Sequence, residues 1–161
     1  MKNATLCYLR VDDKTLFLCR NRIFSDIHSG LYVVPGGQTE RGERGIDCVV
    51  REFEQETGLN IINPRLKAIV TFYNEGRIMG DKLSPEDWCV EVYTASKYAG
   101  VLKPESPDQI PIWVQKSDIS SIKMHEGDRK ILELLDEEGV LEVLVKYEGK
   151  KLTQFDKLRV A

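Results

Sequence analysis

Two glutamates four residues apart, Glu52 and Glu56, follow a Pro35-Gly36-Gly37 turn and stand in a run with helical periodicity. Acids at i and i+4 share one edge of a helix. Carboxylate oxygens are the donors that hard divalent cations take. The glycine turn lets backbone approach a ligand closely. Together these residues point to chemistry on a phosphate chain. Two like charges at this spacing mildly disfavour an isolated helix, and a bound cation would turn that cost into affinity.

The spacing predicts a helix over residues 44–57, with Gly58 as a fitting C-terminal stop. At about 100° per residue, Ile46, Val49, Val50, Phe53 and Thr57 fall on one face, the face to bury. Glu52 and Glu56 lie beside that stripe. Gly45 falls on the same edge two turns earlier, where it is expected to leave room for a ligand. Asp47, Arg51 and Glu54 are expected on the other side.

The elements that must position this helix follow from the rest of the chain. Residues 4–11 and 15–22 read as strands joined by a turn at Asp12, Asp13 and Lys14. A polar loop over 24–30 leads to a short strand, 31–34. Strands are predicted over 65–73, 88–97 and 110–115, with a long loop at 74–87. An amphipathic helix is predicted over 127–138 and a closing hairpin over 141–147 and 151–158. Strands mixed with two helices imply an α/β protein, a mixed sheet with helices on both faces.

The 161 residues suit one domain, 1–161. A hydrophobic content of 42% with 30% charged residues is that of an ordinary globular chain. The net charge of −3 argues against a nucleic-acid polymer or an anionic membrane as main partner. It leaves an anionic small molecule open, because bound cations reverse the field of an acidic site. Cys7, Cys19, Cys48 and Cys89 have no metal-knuckle spacing, and for Cys7 and Cys19, in apolar strand-like runs, a buried free thiol is expected. No leader peptide and no bilayer-length apolar run is visible, so a cytoplasmic location is expected.

The stretch GQTERGERGIDCVVREFEQETGL, residues 37–59, resembles the Nudix box, G-x5-E-x7-R-E-U-x-E-E-x-G-U with U apolar. Every fixed position matches but one: Gln55 replaces the first acid of the Glu-Glu pair. A lone E-x3-E would be read as a helix with solvated glutamates; the preceding turn and the Arg51 and Gly58 matches argue against that reading. The resemblance implies an α/β/α sandwich and hydrolysis of a nucleoside diphosphate linked to another group, with magnesium or manganese on the phosphates. It assigns Glu52 and Glu56 as metal ligands, with the Gly36 carbonyl as a further oxygen and Gly37 against the substrate. Glu43, with Arg51, would orient Glu52 through an ion pair; the alternative for Arg51 is a surface pair with Asp47. Gln55 either binds one metal weakly through its amide oxygen or lies outside the direct ligands. Asp108 is either one more acid near the metals or a turn aspartate after Pro107.

Outside the box, the strand IPIWVQ, the KSDIS turn and the C-terminal LEVLVKYEGKKLTQFDKLRV are similar to the oxidised purine nucleoside triphosphate hydrolases, the MutT-like 8-oxo-dGTP diphosphatases. That resemblance places Asp128 at the purine edge. His125 stands where those enzymes have an aromatic residue, and Val33 where they have a base-contacting asparagine. Phe24 and Tyr32 are aromatic candidates for stacking on the base, or ordinary core and rim residues. The implied partner is a small nucleotide, with monomer and homodimer both open. Two other readings stand beside it: a Nudix enzyme for ADP-ribose or a nucleotide sugar, and a non-catalytic nucleotide sensor. Retention of Glu52 and Glu56 disfavours the sensor.

Overall fold

The computed structural model describes residues 1–20, 30–75, 77–79, 82–84, 86–104 and 109–161. Phe24 and Asp108 lie outside the described residues. The first hairpin joins β1 (Lys2–Val11) to β2 (Lys14–Arg20), with Val11 opposite Lys14. Asp12 and Asp13 make the turn at φ 49° and 61°. A two-residue turn with both φ positive matches the twist of the strands, and aspartate tolerates the left-handed region.

The chain continues through β3 (Tyr32–Val33), β4 (Gly36–Gln38) and α1 (Gly45–Thr57). Then come β5 (Leu59–Ile62), β6 (Arg65–Glu75), β7 (Arg77–Met79), β8 (Lys82–Ser84), β9 (Trp88–Ala95) and β10 (Lys97–Gly100). Next are β11 (Gln109–Gln115), a 3₁₀ turn at Lys116–Ser121 and α2 (Glu126–Leu134). The last hairpin is β12 (Leu141–Glu148) and β13 (Lys151–Arg159).

The main sheet is mixed. Its order is β11-β2-β1-β9-β6-β12-β13, with β3 paired to β2 and β4 to β1. β1 runs parallel to β9 and β12 parallel to β6, and the other pairs are antiparallel. Successive residues of β1 serve opposite faces, as the two-residue period of a strand requires. Cys7 and Leu9 pack with Val49 and Phe53 of α1; Tyr8 packs with Ile131 and Leu134 of α2. A central strand covered on both faces reads as a continuous apolar run, and Cys7, Tyr8 and Leu9 are all fully buried. The result is the α/β/α arrangement expected from the sequence.

Several local expectations are corrected. Ile46 is 40% exposed, while Cys48 is fully buried. The helix is rolled toward β1, so Cys48 meets the Thr5 hydroxyl at 3.3 Å and Ile46, at its open end, meets solvent. The expected loop over 74–87 contains the β7–β8 hairpin, and β5 with β10 forms another antiparallel pair that the alternation of so few residues does not signal. The second helix ends at Leu134 rather than 138. Lys67 donates to the carbonyls of Glu137 and Gly139, which lie beyond the end of the helix.

Candidate active site

β4 lies along the first half of β1, with Gly37 opposite Thr5 and Gly36 opposite Leu6. This pairing is close. A Cβ on Gly36 would sit 2.0 Å from the Thr5 carbonyl oxygen, so only glycine fits. α1 then crosses the back of the turn. Gly58, at φ 81°, ends it in the left-handed region, and its N–H donates to the Glu54 carbonyl at 2.8 Å.

The glutamate edge of α1 faces the two glycines. Glu56 Oε1 accepts the Gly36 N–H at 2.8 Å. The Glu52 carboxylate stands against Gly37, where an added Cβ would lie 2.5 Å from Oε2. Both acids therefore border the same turn. Gly36 is seen to meet Glu56 through its N–H. The Gly37 carbonyl accepts from the Cys48 thiol at 3.6 Å.

Arg51 is at the centre of the polar network. Its Nε and Nη2 donate to Glu43 Oε2 and Oε1 at 2.7 and 2.9 Å, a two-pronged pair. Its Nη1 donates to Glu52 Oε1 at 2.8 Å and reaches the Gln55 amide oxygen at 3.5 Å. The helical projection that sent Arg51 away from the acids is thus corrected: a long side chain folds back along the helix surface. Asp47 is held by Arg44 instead, at 2.7 Å. The hydrogen bond from Arg51, then the Glu40 N–H, hold the Glu43 carboxyl down at about 2. The same contacts, Glu43 first and then Glu52, push the Arg51 guanidinium up. Planar bidentate pairs of this kind fix geometry as well as charge.

Gln109 was not visible as a site residue in the sequence. It arrives from β11 and donates its amide to Glu56 Oε2 at 3.1 Å, so both oxygens of Glu56 are hydrogen-bonded. No local pattern marks it, because 53 residues separate it from its partner. Gly45 also has a different part from the one expected. A Cβ there would fall 1.5 Å from Glu91 Oε2, so the missing side chain makes room for Glu91 of β9, not for a ligand. Tyr93 donates to the same Glu91 oxygen at 2.8 Å.

Tyr32 and Asp128 belong to a second group, on the face of the sheet covered by α2. Tyr32 stands edge-on to Phe17, with ring centres 6.3 Å apart. Asp128 is half-buried in the first turn of α2. The Tyr8 hydroxyl is buried and accepts no partner among the described residues. Its ionisation is pushed well up by burial and by the charge of Asp128. The first cap position of α2 is His125, with no side-chain cap bond, so Asp128 is not the N-cap residue.

Glu52, Glu56 and backbone at a glycine turn offer a hard-oxygen donor set. Among the described residues no three His, Cys, Asp or Glu side chains gather closely enough to cage an ion unaided. Magnesium does not need such a cage. It takes one or two carboxylates and completes its octahedron with water and substrate phosphate. The donors present fit that mode of binding.

A mixed sheet between two helices, with a Gly-Gly turn, a facing pair of helical glutamates and an arginine braced on a distal acid, defines a class of phosphate-chain hydrolases. The chain belongs to the Nudix family: the NUDIX domain model matches residues 1–135. An uncharacterized Nudix hydrolase, YvcI of Bacillus subtilis (strain 168), is 36% identical over 135 residues, which cover 84% of this chain and 79% of that protein. The crystal structure of the mMutator MutT protein from Bacillus halodurans superposes with a TM-score of 0.83 at 26% identity, covering 98% of this chain and 97% of the other. The NUDIX domain of Shewanella oneidensis NrtR, crystallised with ADP ribose, shares the fold: TM-score 0.64, 18% identity, 83% of this chain and 85% of that one. Nudix hydrolases act on small nucleotide substrates and use divalent metal ions. Among the described residues, no helix is long and apolar enough to cross a membrane.

Proposed function

We propose that this chain is a magnesium-dependent pyrophosphohydrolase of nucleoside triphosphates, acting on oxidised purine nucleotides of the 8-oxo-dGTP kind and releasing the monophosphate and pyrophosphate. The observation that carries the reading is the placement of Glu52 and Glu56 against Gly36-Gly37, with Glu52 held by the Arg51–Glu43 pair. Water adds to the α- or the β-phosphorus and gives up a proton, the bond from that phosphorus to the oxygen bridging the two breaks, and the bridging oxygen leaves with the other product, pyrophosphate or monophosphate respectively. Divalent metal supplies neutralisation of the phosphate charge and a lower pKa for bound water.

In this reading Glu52 and Glu56 present carboxylate oxygens to the metal. Arg51 fixes the Glu52 rotamer, Glu43 fixes Arg51, and Gln109 with the Gly36 N–H fixes Glu56. Gln55 reaches Arg51 at 3.5 Å, which favours a place outside the direct ligands. Tyr32 and Asp128 are assigned to the base. The match of Asp128 to the MutT-like pattern supports a purine triphosphate over ADP-ribose. The whole of 1–161 acts as one domain.

The test is a magnesium-dependent hydrolysis screen over canonical and oxidised nucleoside triphosphates, ADP-ribose and dinucleoside polyphosphates. A purine triphosphate is expected to be turned over best, with pyrophosphate as product. Glu52→Gln is expected to lose on the order of 10²-fold or more in rate. Full activity in EDTA, or near-normal turnover by Glu52→Gln, would overturn the assignment.

A further inference from the structure

A cavity of about 750 Å³ opens at the other end of the sheet from the Gly36-Gly37 turn. Its volume lies in the range of small-molecule sites. β4 meets β1 at Thr5 and Leu6, whereas the cavity takes Arg10 from the far end of that strand. At about 3.3 Å per residue, these points are about 15 Å apart. The two also lie on different faces. Arg10 follows Tyr8 by two residues and so shares the side covered by α2, where it pairs with Asp136 at 3.0 Å. The cavity is roofed by the second half of α2 and the 3₁₀ turn, and the candidate active site uses none of its residues.

Its charge is unlike that of the rest of the chain. Arg10, Lys14, Arg65, Lys116 and Arg129 line it. Three acids oppose them: Asp13, Glu133 and Asp136. That is an excess of two positive charges in a protein of net charge −3. Two of the cations are already used. Arg10 holds Asp136, and Arg129 donates to the carbonyls of Ile119 and Ile122 at 3.2 and 2.5 Å. Among the described residues Lys14, Arg65 and Lys116 have no carboxylate partner.

The fold sets these three cations on opposite flanks. Lys14 faces Gln115 across β2 and β11, one residue from Lys116. Arg65 faces Thr94 across β6 and β9. Three strand spacings separate β2 from β6 in the sheet order, about 14 Å. Unpaired cations gathered round a concavity raise the local concentration of anions, and a guanidinium is suited to phosphate. Hydroxyls of Thr15, Thr94 and Ser120 add neutral donors to the wall.

We infer that this cavity is a second ligand site, distinct from the hydrolytic one, for a small phosphorylated metabolite whose anionic groups are spread over roughly the 14 Å between Lys14–Lys116 and Arg65. The inference does not depend on the substrate proposed above. Isothermal titration of the full chain with a short linear inorganic polyphosphate, long enough to reach both flanks, tests it, in EDTA and at low ionic strength so that no metal-bound complex forms at Glu52 and Glu56. Saturable binding near one equivalent is expected, weakened by added salt. The double substitution Arg65→Ala with Lys116→Ala should weaken it tenfold or more, and Lys14→Ala should weaken it too. All three side chains are exposed and have no carboxylate partner among the described residues, so melting temperatures should not move. Glu52→Gln should bind as the wild type does. Absence of binding by the wild type, binding indifferent to the Arg65 and Lys116 substitutions, or binding lost with Glu52→Gln would each overturn the proposal.

Discussion

Replacing Gly37 by alanine tests whether the Glu52 carboxylate must stand against the turn. The new Cβ would lie 2.3 Å from Glu52 Cδ and 2.5 Å from Oε2, where ordinary contact begins at 3.4 Å. The carboxylate must therefore withdraw by about 1 Å. Metal sites hold ligand distances within about 0.2 Å, and a 1 Å misplacement of a reacting group costs about 10²-fold in rate. A loss of that size corresponds to about 2.7 kcal/mol of transition-state stabilisation. The fold should barely register the change. Gly37 does not have a positive φ, so alanine is not strained there, and the atoms it meets end a side chain that is 20% exposed and can shift at the expense of its bond from Arg51. Gly36→Ala is the contrasting variant: its Cβ would meet the Thr5 carbonyl oxygen and the Leu6 Cα, backbone that cannot move aside. That change should cost stability near the upper end of single substitutions, about 3 kcal/mol. The assays are steady-state hydrolysis under saturating magnesium, Mn(II) affinity by paramagnetic resonance, and thermal melting. A Gly37→Ala protein with wild-type kcat and wild-type Mn(II) affinity would refute the geometric argument.

Three further outcomes follow, two from the Arg51 network and one from Asp128. Gln55 contacts Arg51 rather than the glycine turn, so Gln55→Glu is expected to leave the magnesium dependence unchanged; a lower magnesium concentration for half-maximal rate would place residue 55 among the direct ligands. Asp128→Ala is expected to raise KM for a purine triphosphate far more than for a pyrimidine triphosphate, and a fall in melting temperature with unchanged preference would reduce Asp128 to a first-turn helix acid. The Glu43 carboxyl is depressed from 4.5 to about 2, first by Arg51 and then by the Glu40 N–H, so its contribution to stability is complete above pH 4.5 and is lost as pH falls toward 2. Denaturant melts of wild type and Glu43→Gln should therefore differ at pH 6 and converge near pH 2; a gap that persists at pH 2 would show that ionisation of Glu43 is not the cause.

The chain's own letters determined the family and the layout of its layers. The glycine turn, the i and i+4 acids and Gly58 are local features, set by backbone freedom and helical period, and they can be read without any partner. The alternation and length of the strand runs likewise announced a mixed sheet with two helices. Tertiary structure decided what those residues touch. The helical projection turned Arg51 away from Glu52, because period alone ignores a flexible side chain that gains two carboxylates by folding back. Ile46, expected on the buried face, is exposed because the roll of α1 on β1 is set by packing of Cys48 against Thr5, not by the helix itself. Gly45 leaves space for Glu91, which is 46 positions away in the chain and comes near only through strand order. Gln109 reaches Glu56 for the same reason. The cationic cavity had no sequence signature at all: Lys14, Arg65 and Lys116 are ordinary surface residues until the sheet brings its strand ends together beneath α2.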